Sequence, residues 1–365
     1  MSKGKAYVPF RIELSPIKQM AMFHFHKNPD SEYDAFELHY IESEETGSGF
    51  RVLAWRKDGY RDSYVQDSLT IKEEDEILAV GGKGLKERFH VRFDEAYFNH
   101  VNGRLDAGFV FNDKHDRRIV LYVDERIEKE SKPLTWLPSV GNHIKEPHSM
   151  PLFFLYDFDF ARKRDTDIFL SIDGIVKEVD PFVFPKDFQS RYYVEFSTNS
   201  VVASFNKAGK YTLEQVEIDE QGVAKTDHHT YLYENDEGLY KLKRMTLEHE
   251  THPVEVSFSP VFPNHKEVIE AKPFYGEFTI RPSGEAGFLK GKYNVLYQRG
   301  KAIINLTFPE SWQTPKGANY ERFINSMTPN IKSWYQTYQC RQVVRLEDMD
   351  TRIEWTRVDS DRRSR

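Results

Sequence analysis

Six X-Gly dipeptides, each set between segments rich in β-branched and aromatic residues, constrain this chain more than any other feature. Asp58-Gly59 follows VLAWRK and precedes YRDSYV, Asn102-Gly103 separates AYFNHV from RLDAGFVF, and Asp173-Gly174 separates DIFLSI from IVKEV. A two-residue hairpin turn needs backbone with positive φ, which Asn, Asp and above all Gly adopt at low cost, so each dipeptide reads as a tight hairpin. Gln221-Gly222, Glu237-Gly238 and Arg299-Gly300 repeat the signal with less specific first residues.

Period-two alternation agrees. Phe89, Val91 and Phe93 fall on one side of an extended segment and His90, Arg92 and Asp94 on the other, while Ala302, Ile304, Leu306 and Phe308 share a face. One region differs: Tyr320, Phe323, Ile324 and Met327, then Ile331, Trp334, Tyr335 and Tyr338, have helical spacing around Pro329. The expected fold is therefore all-β: two antiparallel β-barrel or sandwich domains with a short helical segment near 318–338, the meander resembling lipocalin/calycin-like barrels most. The chain after Cys340 reads as a last hairpin. Proline-rich Asp180-PFVFPKD marks the expected boundary, giving an N-terminal antiparallel β domain over 1–185 and a C-terminal β-barrel domain over 186–365.

Charge and cysteine usage exclude several classes. The chain of 365 residues carries a formal net charge of −7, and neither half is basic, so nucleic acid is not an expected partner. No apolar run approaches the length of a membrane span, and the N-terminus lacks the apolar core of a secretory signal. With a single cysteine, Cys340, no internal disulfide is possible, and a cytoplasmic location is the expectation. Dinucleotide, P-loop, serine-elbow and zincin motifs are absent.

Three groups of residues are candidates for chemistry. His24 and His26, in AMFHFHKN, would share a strand face and could share a metal, with His39 as third ligand if the following segment pairs back around Asn28-Pro29-Asp30. The spacing departs from the cupin pattern, and two polar residues opposite Phe23 and Phe25 are the plainer reading. His90, Arg92 and Asp94 place a base, a cation and a carboxylate on one strand face, as an acid–base site would. Trp55, Tyr60 and Tyr64 surround the Asp58-Gly59 turn and could form an aromatic platform for carbohydrate. No cofactor is indicated.

The general pattern resembles calycin-type barrels, without any specific motif. It implies a lipocalin-like protein binding a small, largely apolar or aromatic ligand in a barrel cavity. An enzyme of the hydratase, isomerase or cyclase type on the same two-barrel scaffold is the alternative, and carbohydrate binding a third. Ionisable side chains with perturbed pKa values would favour the enzyme; an apolar lining would favour the carrier.

Overall fold

The computed structural model describes residues 4–72, 82–127, 134–137, 144–182, 190–265, 272–284, 286–313 and 334–358. Among them the chain is built almost entirely of strands, joined into four sheets. No helix among the described residues is long and apolar enough to cross a membrane.

Most of the dipeptide turns form as expected. Asn102, Asp173, Glu237 and Arg299 all have positive φ, as do the glycines that follow them, and each pair joins two strands that hydrogen-bond to one another. Asp58-Gly59 likewise joins Gly47–Arg56 to Arg61–Gln66. Gln221-Gly222 differs: the strand before it, Gln215–Ile218, pairs with Gly4–Tyr7, and the strand after it, Val223–Lys225, pairs with His229–Asp236. The last hairpin also forms, from Tyr338–Arg345 and Asp350–Arg357.

Contacts between residues gather the chain into two compact units that interleave along the sequence. One comprises 14–144 and 153–202; the other comprises 1–13, 145–152 and 203–365. The sequence had suggested a single cut near 185, because proline density marks a local loop and carries no information about which sheet the flanking strands join.

In the first unit, a five-stranded sheet has the order Ile175–Lys177, Thr166–Ile172, Arg118–Glu125, Arg104–Asn112, Phe93–Val101. Its core side chains, among them Phe109, Phe111 and Leu121, pack with Phe23, Phe36, Leu38, Val52, Ala54, Tyr64 and Phe196 from a nine-stranded sheet. That larger sheet sets Arg191–Phe205, Ile17–His24, Tyr33–Ser43, Gly47–Arg56, Arg61–Gln66 and Leu85–Val91 side by side. All these neighbours are antiparallel except the last pair, which is parallel.

In the second unit, a ten-stranded antiparallel meander runs in near-sequential order from Gly209–Thr212 and Asp350–Arg357 back through the chain to Val223–Lys225. Of the expected helical segment, 314–333 lies outside the described residues. Trp334–Thr337 forms one 3-10 turn that leads straight into a strand.

Candidate acid–base site

Strict alternation in the central strands of the nine-stranded sheet sends Phe23, Phe36, Leu38 and Val52 to the core and their neighbours to the other face. Directly opposite residues share a face, so strand register builds that second face row by row. Glu195, Met22, Glu37, Leu53 and Ser63 form one row across five strands. Ser197, Met20, His39, Arg51 and Val65 form the next. Such a face would ordinarily be solvated, yet His39, Arg51, Leu53 and Ser63 are all fully or almost fully buried. A buried guanidinium and imidazole are costly unless paired.

They are paired in a fixed order. Arg51 Nη2 and Nε lie 2.8 and 3.2 Å from His39 Nδ1, and His39 Nε2 lies 2.8 Å from Glu37 Oε1. Guanidinium nitrogens only donate, so His39 Nδ1 must accept, and the imidazole proton sits on Nε2, donating to the Glu37 carboxylate. Trp55 Nε1 donates to the other oxygen, Oε2, at 3.2 Å. Burial works against the Glu37 anion, but these hydrogen bonds and the Arg51 charge outweigh it and hold the carboxyl below its ordinary range. Burial, with the Arg51 charge, likewise lowers His39 and keeps the ring neutral.

Glu195 is the counterpart. Burial, and then repulsion from Glu37, push its carboxyl up to about 7. Two carboxyls in one row thus have pKa values driven apart, the arrangement that separates a proton carrier from a fixed anion. Tyr193, two residues before Glu195, is raised by the Glu195 charge and by burial. Met20, Met22, Trp55, Tyr193 and Glu195 keep partial exposure, so Glu195 sits among apolar and aromatic side chains that are not fully sealed from solvent.

His24 completes this end of the face. Its ring stacks on Tyr193 with centroids 3.8 Å apart, on His26 at 5.1 Å, and edge-on to Trp55 at 6.4 Å. Neither ring nitrogen has a hydrogen-bond partner, and burial together with His26 lowers its pKa to about 3, so it is a neutral aromatic surface. His26 lies in a turn, half exposed, with Nδ1 3.5 Å from Asp180 Oδ2.

The residues proposed from sequence are therefore distributed as follows. The hairpin around Asn28-Pro29-Asp30 forms, but its register sets Met20, not His24, opposite His39, and His24 opposite Ala35. Four strand positions separate the two histidines, roughly 13 Å by strand rise, so His24, His26 and His39 do not converge on one ion. No cluster of three or more metal-ligating side chains occurs among the described residues. The stripe of His90, Arg92 and Asp94 is broken: the strand ends at Val91, Phe93 begins a strand of the five-stranded sheet, and Asp94 pairs with Arg118. Phe93 keeps the phase of Phe89 and Val91 toward the core, which is why the alternation concealed the break.

Trp55, Tyr60 and Tyr64 do not share a platform. Tyr64 is a core residue, stacked on Phe89 and donating to or accepting from Tyr33 at 2.7 Å. Arg61 lies over the Trp55 ring at 3.5 Å, and Tyr60 sits at the turn near Lys83 and Lys86. Trp55 belongs instead to the acid–base face.

Sequence reading missed Glu37, Arg51 and Glu195. The available signal was ionisable residues alternating with core residues inside central strands, in AFELHY, GFRVLAW and YYVEFS. Burial of the second face, which gives them chemistry, depends on tertiary structure and leaves no local mark. Comparison with protein-family models, with characterised proteins and with solved structures finds no match to this chain, so the site must be read from its residues.

Proposed function

We propose that the first unit carries out proton-transfer chemistry on a small, largely apolar unsaturated substrate, as an isomerase, hydratase or cyclase does. The observation that carries the reading is the row Glu195–Met22–Glu37, in which Glu195, a partly exposed residue whose carboxyl is pushed up to about 7, faces an anion fixed by His39, Arg51 and Trp55. A group titrating near neutrality is both protonated and deprotonated in useful amounts, so Glu195 can give a proton to a substrate carbon or oxygen and take one back. Glu37 tunes Glu195 through its charge. Met20, Met22 and Tyr193 supply apolar surface for the substrate, beside Trp55, whose ring is covered by Arg61.

Migration of a double bond into conjugation tests this, with cyclohex-3-enone as probe in D2O followed by NMR. Wild-type protein should speed isomerisation with deuterium incorporation and an inflection near pH 7. Glu195→Gln should abolish it, and Glu37→Gln should move the inflection to lower pH. An equal rate for Glu195→Gln, or no inflection near pH 7, overturns the assignment.

Carriage of an apolar ligand, in a lipocalin-like manner, is the second reading. It is supported by an aromatic cavity in the other unit.

A further inference from the structure

The inner face of the ten-stranded meander is apolar and aromatic where Tyr233 stands opposite Leu242, Val295 opposite Ile304, and Ala302 opposite both Tyr297 and Val344. Ala6, Tyr7 and Pro9, from the N-terminal segment of the same unit, lie over these residues and leave a cavity of about 40 Å³. Most polar groups around it are engaged: Tyr297 Oη donates to the Asn264 carbonyl at 3.0 Å, and Asn264 Nδ2 donates to the Tyr240 carbonyl at 2.7 Å. The hydroxyl of Tyr233 is not. This residue lines the cavity, is 4% exposed, and its hydroxyl has no hydrogen-bond partner.

Leaving a buried hydroxyl unsatisfied is unfavourable, on the order of 1–3 kcal/mol. The backbone at Tyr233 is held by its amide, which donates to the Gly222 carbonyl at 2.8 Å, and the side chain is packed on all sides, at 4% exposure. A ligand that offers one acceptor to the phenol and apolar surface to the remaining walls would satisfy the group. A cavity of this size, well under the roughly 150 Å³ that accommodates benzene, takes only a few heavy atoms.

We infer that this cavity is a binding site for a short ketone or aldehyde, or for the carbonyl end of a longer molecule, with Tyr233 Oη as the donor to the carbonyl oxygen. The site lies in a different unit from Glu195 and stands independently of the acid–base reading. A neutral carbonyl is favoured over an alcohol because the partner needs only to accept. It is favoured over a carboxylate because no lysine or arginine is among the described residues that line the cavity.

The test uses the full chain, labelled with ¹³C at its Ile, Leu and Val methyl groups, and titrates it with acetone and with its isostere 2-methylpropene. Acetone should shift the methyls of Leu242, Val295 and Ile304, and the hydrocarbon should bind about tenfold more weakly. Tyr233→Phe should lose that preference while leaving Tm equal or higher, because it deletes an unsatisfied hydroxyl. Ala302→Leu, which fills the cavity, should abolish both sets of shifts. Equal affinity of the two probes for wild-type protein, an unchanged preference in Tyr233→Phe, or no shift of these methyls overturns the inference.

Discussion

His39 donates its Nε2 proton to Glu37 across 2.8 Å while its Nδ1 accepts from Arg51, and the three residues are held by pairing across adjacent strands of one sheet. This relationship fixes both the charge and the tautomer of a buried site, and the pH behaviour of the unit follows from it.

Two groups make opposite contributions to stability as pH changes. His24, lowered to about 3, stays neutral in the folded chain while the unfolded chain takes up a proton near its ordinary 6.5, so stability is lost as pH falls from 6.5 toward 3. Glu195, raised to about 7, keeps its proton in the folded chain while the unfolded chain releases it near 4.5, so stability is lost as pH rises from 4.5 to 7. Between those values the two slopes offset one another. Glu195→Gln should be more stable than wild type at pH 7.5, by on the order of 1–2 kcal/mol, and indistinguishable at pH 4, in urea unfolding at each pH. His24→Phe should flatten the acid limb. A neutral-pH stability of Glu195→Gln below wild type would contradict the Glu195 assignment.

Asp180 pins the turn that follows His24. Its carboxylate accepts from the backbone amides of His26 and Lys27 at 2.9 and 3.1 Å, and its own amide donates to the His24 carbonyl at 2.7 Å. Asp180→Ala should lower stability by about 2 kcal/mol, because two amides lose a charged acceptor. Hydrogen exchange should show faster exchange at His26 and Lys27, with the Arg104–Asn112 strand unaffected.

Lys114 gathers three carboxylates: Glu32 at 2.7 Å, Glu87 at 2.8 Å and Asp62 at 2.9 Å. Asp62 is fully buried, with Arg56 3.2 Å away as its other cation. Lys114→Met should cost about 2–3 kcal/mol by weakening the pairing of a buried carboxylate. Adding Asp62→Asn should recover part of that loss, as a thermal melt of single and double variants will show. Recovery of nothing would mean that packing around Lys114, not its charge, is what counts.

Turn chemistry was legible in the sequence because it is local. Asn102-Gly103 and Asp173-Gly174 announce positive φ through their own residue types, and no distant contact alters that requirement. The parallel pairing of Arg61–Gln66 with Leu85–Val91 is not local, and neither is the change of sheet at Arg92. His24 and His39 lie on paired strands, the condition on which a shared ion depended, but a four-residue offset in register separates them, and register is set by the fit of Phe23 and Phe36 into the core. Glu195 reaches the row of Glu37 only because Arg191–Phe205, far along the chain, pairs with Ile17–His24.

Arg51 also sets a limit on where protons can go. A guanidinium neither accepts nor readily releases a proton, so the chain of hydrogen bonds from Glu37 through His39 has a closed inner end. The face therefore keeps a fixed inventory, one proton locked on His39 and one exchangeable on Glu195. On the proposed reading, turnover passes through Glu195, and proton exchange between that buried carboxyl and solvent sets how fast the site can reset.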